Sequence, residues 1–145
     1  MHALELIWQM LKPGGTLVEI HPSGKKPPIG VCRGNELLPS GVLEETDDFV
    51  EYFQAEAALA EAETRGWFRL EQRDDFHFIV YADTPEEFQK FLDDNYSDAV
   101  LKPEVYERLE VLVDDGDASG QVEMDELIRI SRYAWGIGFK GEKGK

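Results

Sequence analysis

Residues 3–21 read ALELIWQMLKPGGTLVEIH, and this stretch decides the fold. From Ala3 to Met10 the apolar side chains recur at i, i+3, i+4 and i+7, the spacing of an amphipathic helix over residues 2–11. The sequence KPGG at Lys12–Gly15 then ends that helix, because proline cannot continue it and glycine readily adopts a positive φ. The β-forming segment Thr16–His21 follows at once and predicts a buried strand.

The next region predicts a loop and then a long helix. Residues 22–43 contain four prolines and four glycines without a sustained period, which is typical of a long loop. A helix is predicted from a cap at Thr46 or Asp47 to about Arg65, where Gly66 ends it. The residues predicted to form its inner stripe are Phe49, Val50, Phe53, Ala57 and Ala60.

The second half of the chain predicts extended segments and two more helices. Residues 67–72 and 76–81 favour either two strands or one long bent strand. Thr84–Glu87 combines a cap, a proline at the first helical position and an acid three residues after the cap, so it predicts a helix start. Another helix begins near Lys102–Glu104. The β-branched residues within 121–135 predict a final strand.

Composition excludes several classes of protein. The 145 residues carry 15 Lys and Arg against 30 Asp and Glu, a formal net charge of −15, which would repel the phosphates of a nucleic acid. A single cysteine excludes an internal disulfide and a cysteine-cage zinc site, and it suits a reducing cytoplasm. No apolar run approaches the roughly 20 residues that span a bilayer, so we expect no membrane partner.

The run from Ala3 to Val18, with LKPGG at Leu11–Gly15, resembles the corresponding segment of class I S-adenosylmethionine-dependent methyltransferases. In that family the helix before the fifth strand ends in this turn and the strand follows immediately. The downstream order is also similar: a long helix, a strand, further helices and a last strand beside the preceding ones. The resemblance implies S-adenosylmethionine as cofactor and a Rossmann-like sheet.

The cofactor half of that family is not matched by this sequence. The family's Gly-rich turn follows its first strand, an acid ends its second, and both lie upstream of the KPGG segment; no GxGxG occurs here. We therefore assign no cofactor-binding residue and expect this chain alone to be inactive. The strand at Thr16–His21 would then lack a neighbour, which predicts a homodimer or a complementing polypeptide at that sheet edge.

Asp115–Glu126 is a competing motif that fits the twelve-residue calcium loop of an EF-hand. Acids stand at positions 1 and 3, serine at 5, glycine at 6 and a glutamate at 12. We favour an acidic turn before a final strand, because no second loop is present and acid pairs recur elsewhere in the chain. Calcium binding is kept as a second alternative.

Few other residues point to chemistry. His21 ends the first strand, where open α/β sheets place ligands, so it is the candidate substrate-binding residue and a possible general base, against a purely structural role. We interpret His77 as a partly buried strand residue and find no metal site among three scattered histidines. Lys25-Lys26 could hold an anion, but a solvated loop is the simpler interpretation. Eight aromatic residues are interpreted as core: Trp8, Trp67, Phe68, Phe76, Phe78, Tyr81, Phe88 and Phe91.

The sequence thus predicts an α/β fold, a partial methyltransferase-like Rossmann sheet of about three strands, mixed, with an antiparallel last strand and flanking helices. One domain is expected over residues 1–139, with a flexible basic tail at 140–145. The expected function is that of the carboxyl-terminal half of a methyltransferase that does not bind cofactor alone. The alternative is a non-catalytic, homo-oligomeric interaction module derived from that fold.

Overall fold

The computed structural model describes residues 2–47, 49–114 and 120–137. The chain order of helices and strands is α1 (His2–Met10), β1 (Thr16–Pro22), β2 (Pro28–Arg33), β3 (Glu36–Val42), β4 (Glu44–Glu45), α2 (Val50–Thr64), β5 (Phe68–Ala82), α3 (Pro85–Asn95), β6 (Ala99–Val100), α4 (Pro103–Asp114) and β7 (Gln121–Trp135). The chain divides into two compact units. The first comprises residues 1–23, 50–76 and 128–145, and the second comprises residues 24–49 and 77–127.

The first unit is built on α1, the turn after it, and β1. Gly14 has a φ of +81°, and the Gly15 N–H donates to the Lys12 carbonyl over 2.8 Å, so the KPGG sequence forms the tight turn predicted for it. β1 then pairs antiparallel with β7, from Thr16 opposite Ala134 to Pro22 opposite Ile128. The helix, the turn and the strand predicted for residues 2–21 are confirmed, but the strand is not buried as predicted, because Thr16, Val18 and Ile20 on one of its faces are exposed.

In the first unit β7 also pairs with β5. The side chains of Asp75 and Arg129 meet, as do those of Arg73 and Ser131, so residue numbers rise along β5 as they fall along β7. β5 is therefore antiparallel to β7, as β1 is. Because a strand has two edges, β1 and β5 flank this part of β7 and run parallel to each other.

The core of the first unit lies between these strands and the two helices. Its buried residues are Leu59, Ala62, Trp67, Phe68 and Tyr133, and the partly buried residues packed against them are Leu4, Ile7, Trp8, Leu11, Leu17 and Leu70. The stripe predicted from the sequence is wrong within α2: Phe53 is 58% exposed and Ala57 is exposed, whereas Leu59 and Ala62 point inward. Its first residue, Phe49, is buried as predicted but precedes the helix. Alanines and apolar residues occur around the whole circumference of α2, so the pattern did not identify the packed face.

In the second unit residues 28–42 form a β-hairpin, which corrects the long loop predicted for 22–43. β2 and β3 are joined by the two residues Gly34 and Asn35, and Gly34 has a φ of +58°. A glycine at the first position of a two-residue turn is a recognised hairpin signal. The register shifts between Ile29 and Gly30, a bulge that accommodates Pro39 on β3.

The remaining elements of the second unit enclose its core. The Thr84 hydroxyl accepts a 3.1 Å hydrogen bond from the Glu87 N–H, so α3 begins with the predicted cap. β2 pairs with residues 121–124 of β7, and β4 pairs with β6. The buried cluster consists of Ile29, Val31, Leu43, Phe88, Leu92, Val105, Leu109, Val122 and Met124.

The protein is α/β with four described helices and mainly antiparallel strands, and the last strand is antiparallel as predicted. The expected sheet of about three strands is corrected to a sheet of five described strands, because β2 and β3 lie where a loop was predicted. β4 and β6 form a separate two-stranded sheet. β5 is one continuous strand. Of the eight aromatic residues predicted as core, three are exposed instead, Phe76, Phe78 and Tyr81. Residues 138–145, which include the predicted tail, lie outside the described residues.

Candidate functional site

The candidate site is a charged cluster on the inner face of β1 in the first unit. Along β1, exposed Thr16, Val18 and Ile20 alternate with inward-facing Leu17, Glu19 and His21. His21 is 9% exposed. The strand's period of two therefore places a carboxylate and an imidazole side by side beneath α2.

The His21 ring lies between two carboxylates. Its Nδ1 contacts Oε1 of Glu19, and its Nε2 lies 2.7 Å from Oε1 of Glu56 on α2. The second carboxylate oxygen of Glu19, Oε2, is buried and has no hydrogen-bond partner among the described residues. Both ring nitrogens of His21 thus lie against carboxylates of the protein, and the approach of Nε2 to Glu56 is a close charge contact without hydrogen-bond geometry.

Two arginines extend the cluster across the strands. The Arg129 guanidinium donates to Asp75 over 3.0 Å and lies 3.7 Å from Glu56, and the hydrogen bond with Asp75 raises the pKa of Arg129. Arg73 lies 3.7 Å from the other oxygen of Glu56 and donates to the hydroxyl of Tyr133 over 3.0 Å. Burial raises the pKa of Tyr133, against the smaller effect of that bond. The cluster therefore links α2 to β1, β5 and β7.

The composition of this cluster favours a structural role. Three carboxylates meet two guanidinium groups and one imidazole, so each charged group of the cluster lies against a partner within the protein. A ring with both nitrogens against carboxylates directs neither towards a ligand. Within residues 2–47, 49–114 and 120–137, no group of His, Cys, Asp and Glu side chains could hold a metal ion. The substrate-binding role of His21 stays a prediction.

Sequence reasoning identified His21 but missed its partners. Glu19 and His21 are two residues apart on one strand, and the alternation of β1 already implied that they share a face. Glu56 could not be found in this way, because its contact with His21 depends on how α2 packs on β1, which the sequence pattern does not give. Arg73 and Arg129 could be found only from the register of β5 and β7.

The second unit contains a separate cleft of about 240 Å³, lined by Lys25, Lys26, Pro27, Pro28, His77, Asp125 and Leu127. His77 is 65% exposed, which corrects the prediction that it is partly buried, and its Nδ1 lies 2.8 Å from Asp125. Lys26 lies 2.6 Å from Glu44, and hydrogen bonding from this lysine lowers the pKa of Glu44. Lys26, one of the two lysines considered for anion binding and interpreted as part of a solvated loop, is thus paired with a carboxylate.

The calcium motif is only partly described. Its residues 115–119 lie outside the described residues, and Gln121–Glu126 are extended in β7, as the prediction of a final strand required. Glu126, the twelfth position of the motif, is 5% exposed and accepts a 2.9 Å hydrogen bond from the Tyr96 hydroxyl. An exiting helix and an exposed bidentate glutamate are the features of an EF-hand that these residues lack.

The residues present do not fit S-adenosylmethionine, the cofactor that the resemblance implies. Within the described ranges, each helix that follows a strand does so through residues other than glycine, such as Asp83-Thr84 before α3 and Leu101-Lys102 before α4. A glycine-rich strand-to-helix turn is what lets backbone N–H groups approach such a ligand. At the carboxyl end of β1 stands His21, whose ring is enclosed by carboxylates.

Among the described residues, no helix has the length and apolar character needed to cross a membrane. Neither a protein-family model, nor a curated protein, nor a solved structure matches this chain.

Proposed function

We propose that the first unit is the carboxyl-terminal part of a class I methyltransferase-type, Rossmann-like fold. On this proposal the protein takes part in methyl transfer only together with a cofactor-binding part that the residues described here do not supply. The single cysteine is compatible with a cytoplasmic setting for such an activity.

The order of elements in the first unit supports this proposal. α1, the KPGG turn and β1 follow one another as in the family segment, and α2, β5 and β7 follow in the expected order. β7 lies antiparallel between β1 and β5, which are parallel to each other. Residues 24–49 and 77–127 then count as two insertions, which together make the second unit. The observation that carries the proposal is this strand arrangement directly after the KPGG turn.

Calorimetric titration with S-adenosylmethionine tests the proposal in two proteins. The first is this chain alone, for which we expect no heat of binding at ligand concentrations up to about 1 mM. The second is a fusion in which this chain replaces the carboxyl-terminal half of a class I methyltransferase, behind that enzyme's Gly-rich half. We expect micromolar binding by the fusion, since the chain supplies the missing strands.

The control is the same fusion carrying Leu17→Asp, which places a carboxylate against the core of the first unit and should abolish binding. Binding by the isolated chain would contradict the proposal. A folded fusion that binds no cofactor, while the parent enzyme does, would contradict it as well.

The alternative function, a non-catalytic interaction module, is favoured by a different observation. Among the described strands β1 pairs only with β7, so its other edge lies open, and Val18 and Ile20 are exposed beside it. Calcium binding gains no comparable support, because Glu126 is buried against Tyr96.

A further inference from the structure

The outer edge of β1 presents a defined set of backbone groups. The Gly15 carbonyl accepts a 2.9 Å hydrogen bond from the Trp135 N–H, so odd-numbered residues of β1 direct their backbone groups towards β7. Neighbouring residues of a strand point their N–H and C=O groups to opposite sides. The groups of Thr16, Val18 and Ile20 therefore face the edge that no described strand covers.

The side chains next to this edge are apolar on one face of the sheet. Val18 is 55% exposed and Ile20 is 58% exposed, and on β7 they stand opposite Arg132 and Ile130. The strand carries no lysine and no bulge, and its proline stands only at its last residue, Pro22. Those devices are the usual protection of an exposed edge against pairing with another chain.

We propose that this edge of β1 binds the same edge of a second copy of the protein, in an antiparallel arrangement about a two-fold axis at Ile20. Ile20 then lies opposite Ile20 of the second copy, and Val18 lies opposite Pro22. All six of these positions, three from each copy, are apolar. The pairing makes four backbone hydrogen bonds, two between the Ile20 residues and two from Val18 N–H groups to Pro22 carbonyls.

Charge complementarity on the inner face selects this register. Pairing about Ile20 places Glu19 opposite His21 of the second copy, twice by symmetry, so that no two carboxylates of β1 stand opposite each other across the edge. Pairing about Glu19 places two glutamates opposite each other, which is destabilising. Pairing about Val18 places each Glu19 carboxylate opposite the apolar side chain of Leu17. The inference rests on this edge and stands independently of the methyltransferase proposal.

The first test is the mass in solution, measured by light scattering after size-exclusion chromatography between about 1 and 100 μM protein. We expect twice the 16.5 kDa chain mass at the upper concentrations and dissociation at the lower ones. Ile20→Lys places two ammonium groups opposite each other and should give a monomer. Its matched control is Phe53→Lys, because Phe53 is also 58% exposed but lies on α2, and this variant should dimerise as the wild type does.

The second test identifies the strand register of the dimer, and it does not require the Ile20→Lys variant to fold. In a Cys32→Ser background, Ile20→Cys should form an intermolecular disulfide on oxidation with diamide, since paired Cα atoms lie about 5.5 Å apart. Val18→Cys should form little intermolecular disulfide, because Val18 stands opposite Pro22 of the second copy in this register. Dominant cross-linking by Val18→Cys would overturn the register. A monomeric wild type at 100 μM would overturn the proposal and assign the edge to another polypeptide, as would a dimer unaffected by Ile20→Lys.

Discussion

The indole of Trp135 donates a 3.2 Å hydrogen bond to the main-chain carbonyl of Trp8, and the two rings stack with centroids 6.3 Å apart. The Trp8 indole in turn donates to the carbonyl of Gly136 over 2.8 Å. Trp67 also stacks on Trp8, with centroids 5.9 Å apart. All three tryptophans of the chain thus form one stack in the first unit, joining α1 to the end of β7.

Trp8→Phe tests the contribution of that stack. The variant keeps an aromatic ring but loses the donor to Gly136, so we expect a loss of about 1 kcal/mol in the free energy of unfolding. The melting temperature followed by tryptophan fluorescence should fall by about 2–4 °C. Gln9→Ala, at an exposed position of the same helix, is the control and should leave the melting temperature unchanged. An unchanged Trp8→Phe melting temperature would show that the Trp8–Gly136 hydrogen bond contributes no stability.

Substituting the two histidines of the described strands should reduce the free energy of unfolding by unequal amounts. His21→Ala leaves the carboxylates of Glu19 and Glu56 without their shared partner, so we expect a loss of about 2–3 kcal/mol in urea unfolding. His77→Ala removes an exposed contact with Asp125 and should cost at most about 0.5 kcal/mol. If His21→Ala lowered the free energy of unfolding by no more than His77→Ala does, the cluster would not be holding α2 to the sheet.

Local sequence signals correctly predicted the helix boundaries that are marked by strong helix-stop or helix-start residues. The KPGG turn and the Thr84-Pro85 cap act within a few residues, through fixed φ values and a single hydrogen bond, and both occur as predicted. The hairpin of residues 28–42 was missed because its prolines and glycines suggested a loop. Its two-residue turn at Gly34-Asn35 was the local signal that could have identified it.

Leu59 and Phe53 test which face of α2 packs against the first unit. Leu59 is buried, so Leu59→Ala should lose about 2–4 kcal/mol in the free energy of unfolding through lost burial and a residual cavity. Phe53 is exposed, and Phe53→Ala should change the free energy of unfolding by no more than about 0.5 kcal/mol. Chemical denaturation followed by tryptophan fluorescence measures both. The reverse order of effects would restore the stripe predicted from the sequence.

The candidate site was harder to predict than the fold. His21 could be placed at a strand end from sequence alone, with Glu19 two residues away, but the other members of the cluster come from α2, β5 and β7, more than 30 residues away. Such contacts depend on strand register and on which helix face packs, and neither is fixed by local propensity. The sequence therefore identified one member of the cluster and the structure identified what surrounds it.

The burial of Glu126 predicts that the stability of the second unit depends on pH. Burial raises the pKa of Glu126 above its value in the unfolded chain, with a smaller opposing effect of the Tyr96 hydrogen bond. The folded protein therefore holds this proton more tightly than the unfolded chain does. The penalty for ionising Glu126 is absent at pH values below the unfolded pKa of about 4.3, and grows as the pH rises towards the folded pKa. Glu126→Gln removes the penalty and can still accept the Tyr96 hydrogen bond.

We accordingly expect Glu126→Gln to raise the melting temperature by about 2–4 °C at pH 7, a gain of about 1 kcal/mol, and to have little effect at pH 4. Glu110→Gln is the control, because Glu110 is exposed on α4 in the same unit and the substitution removes the same charge from an acidic protein. Calorimetric melting at the two pH values measures both variants. A lower melting temperature for Glu126→Gln than for the wild type at pH 7 would mean that the ionised carboxylate stabilises this site, contrary to the effect of its burial.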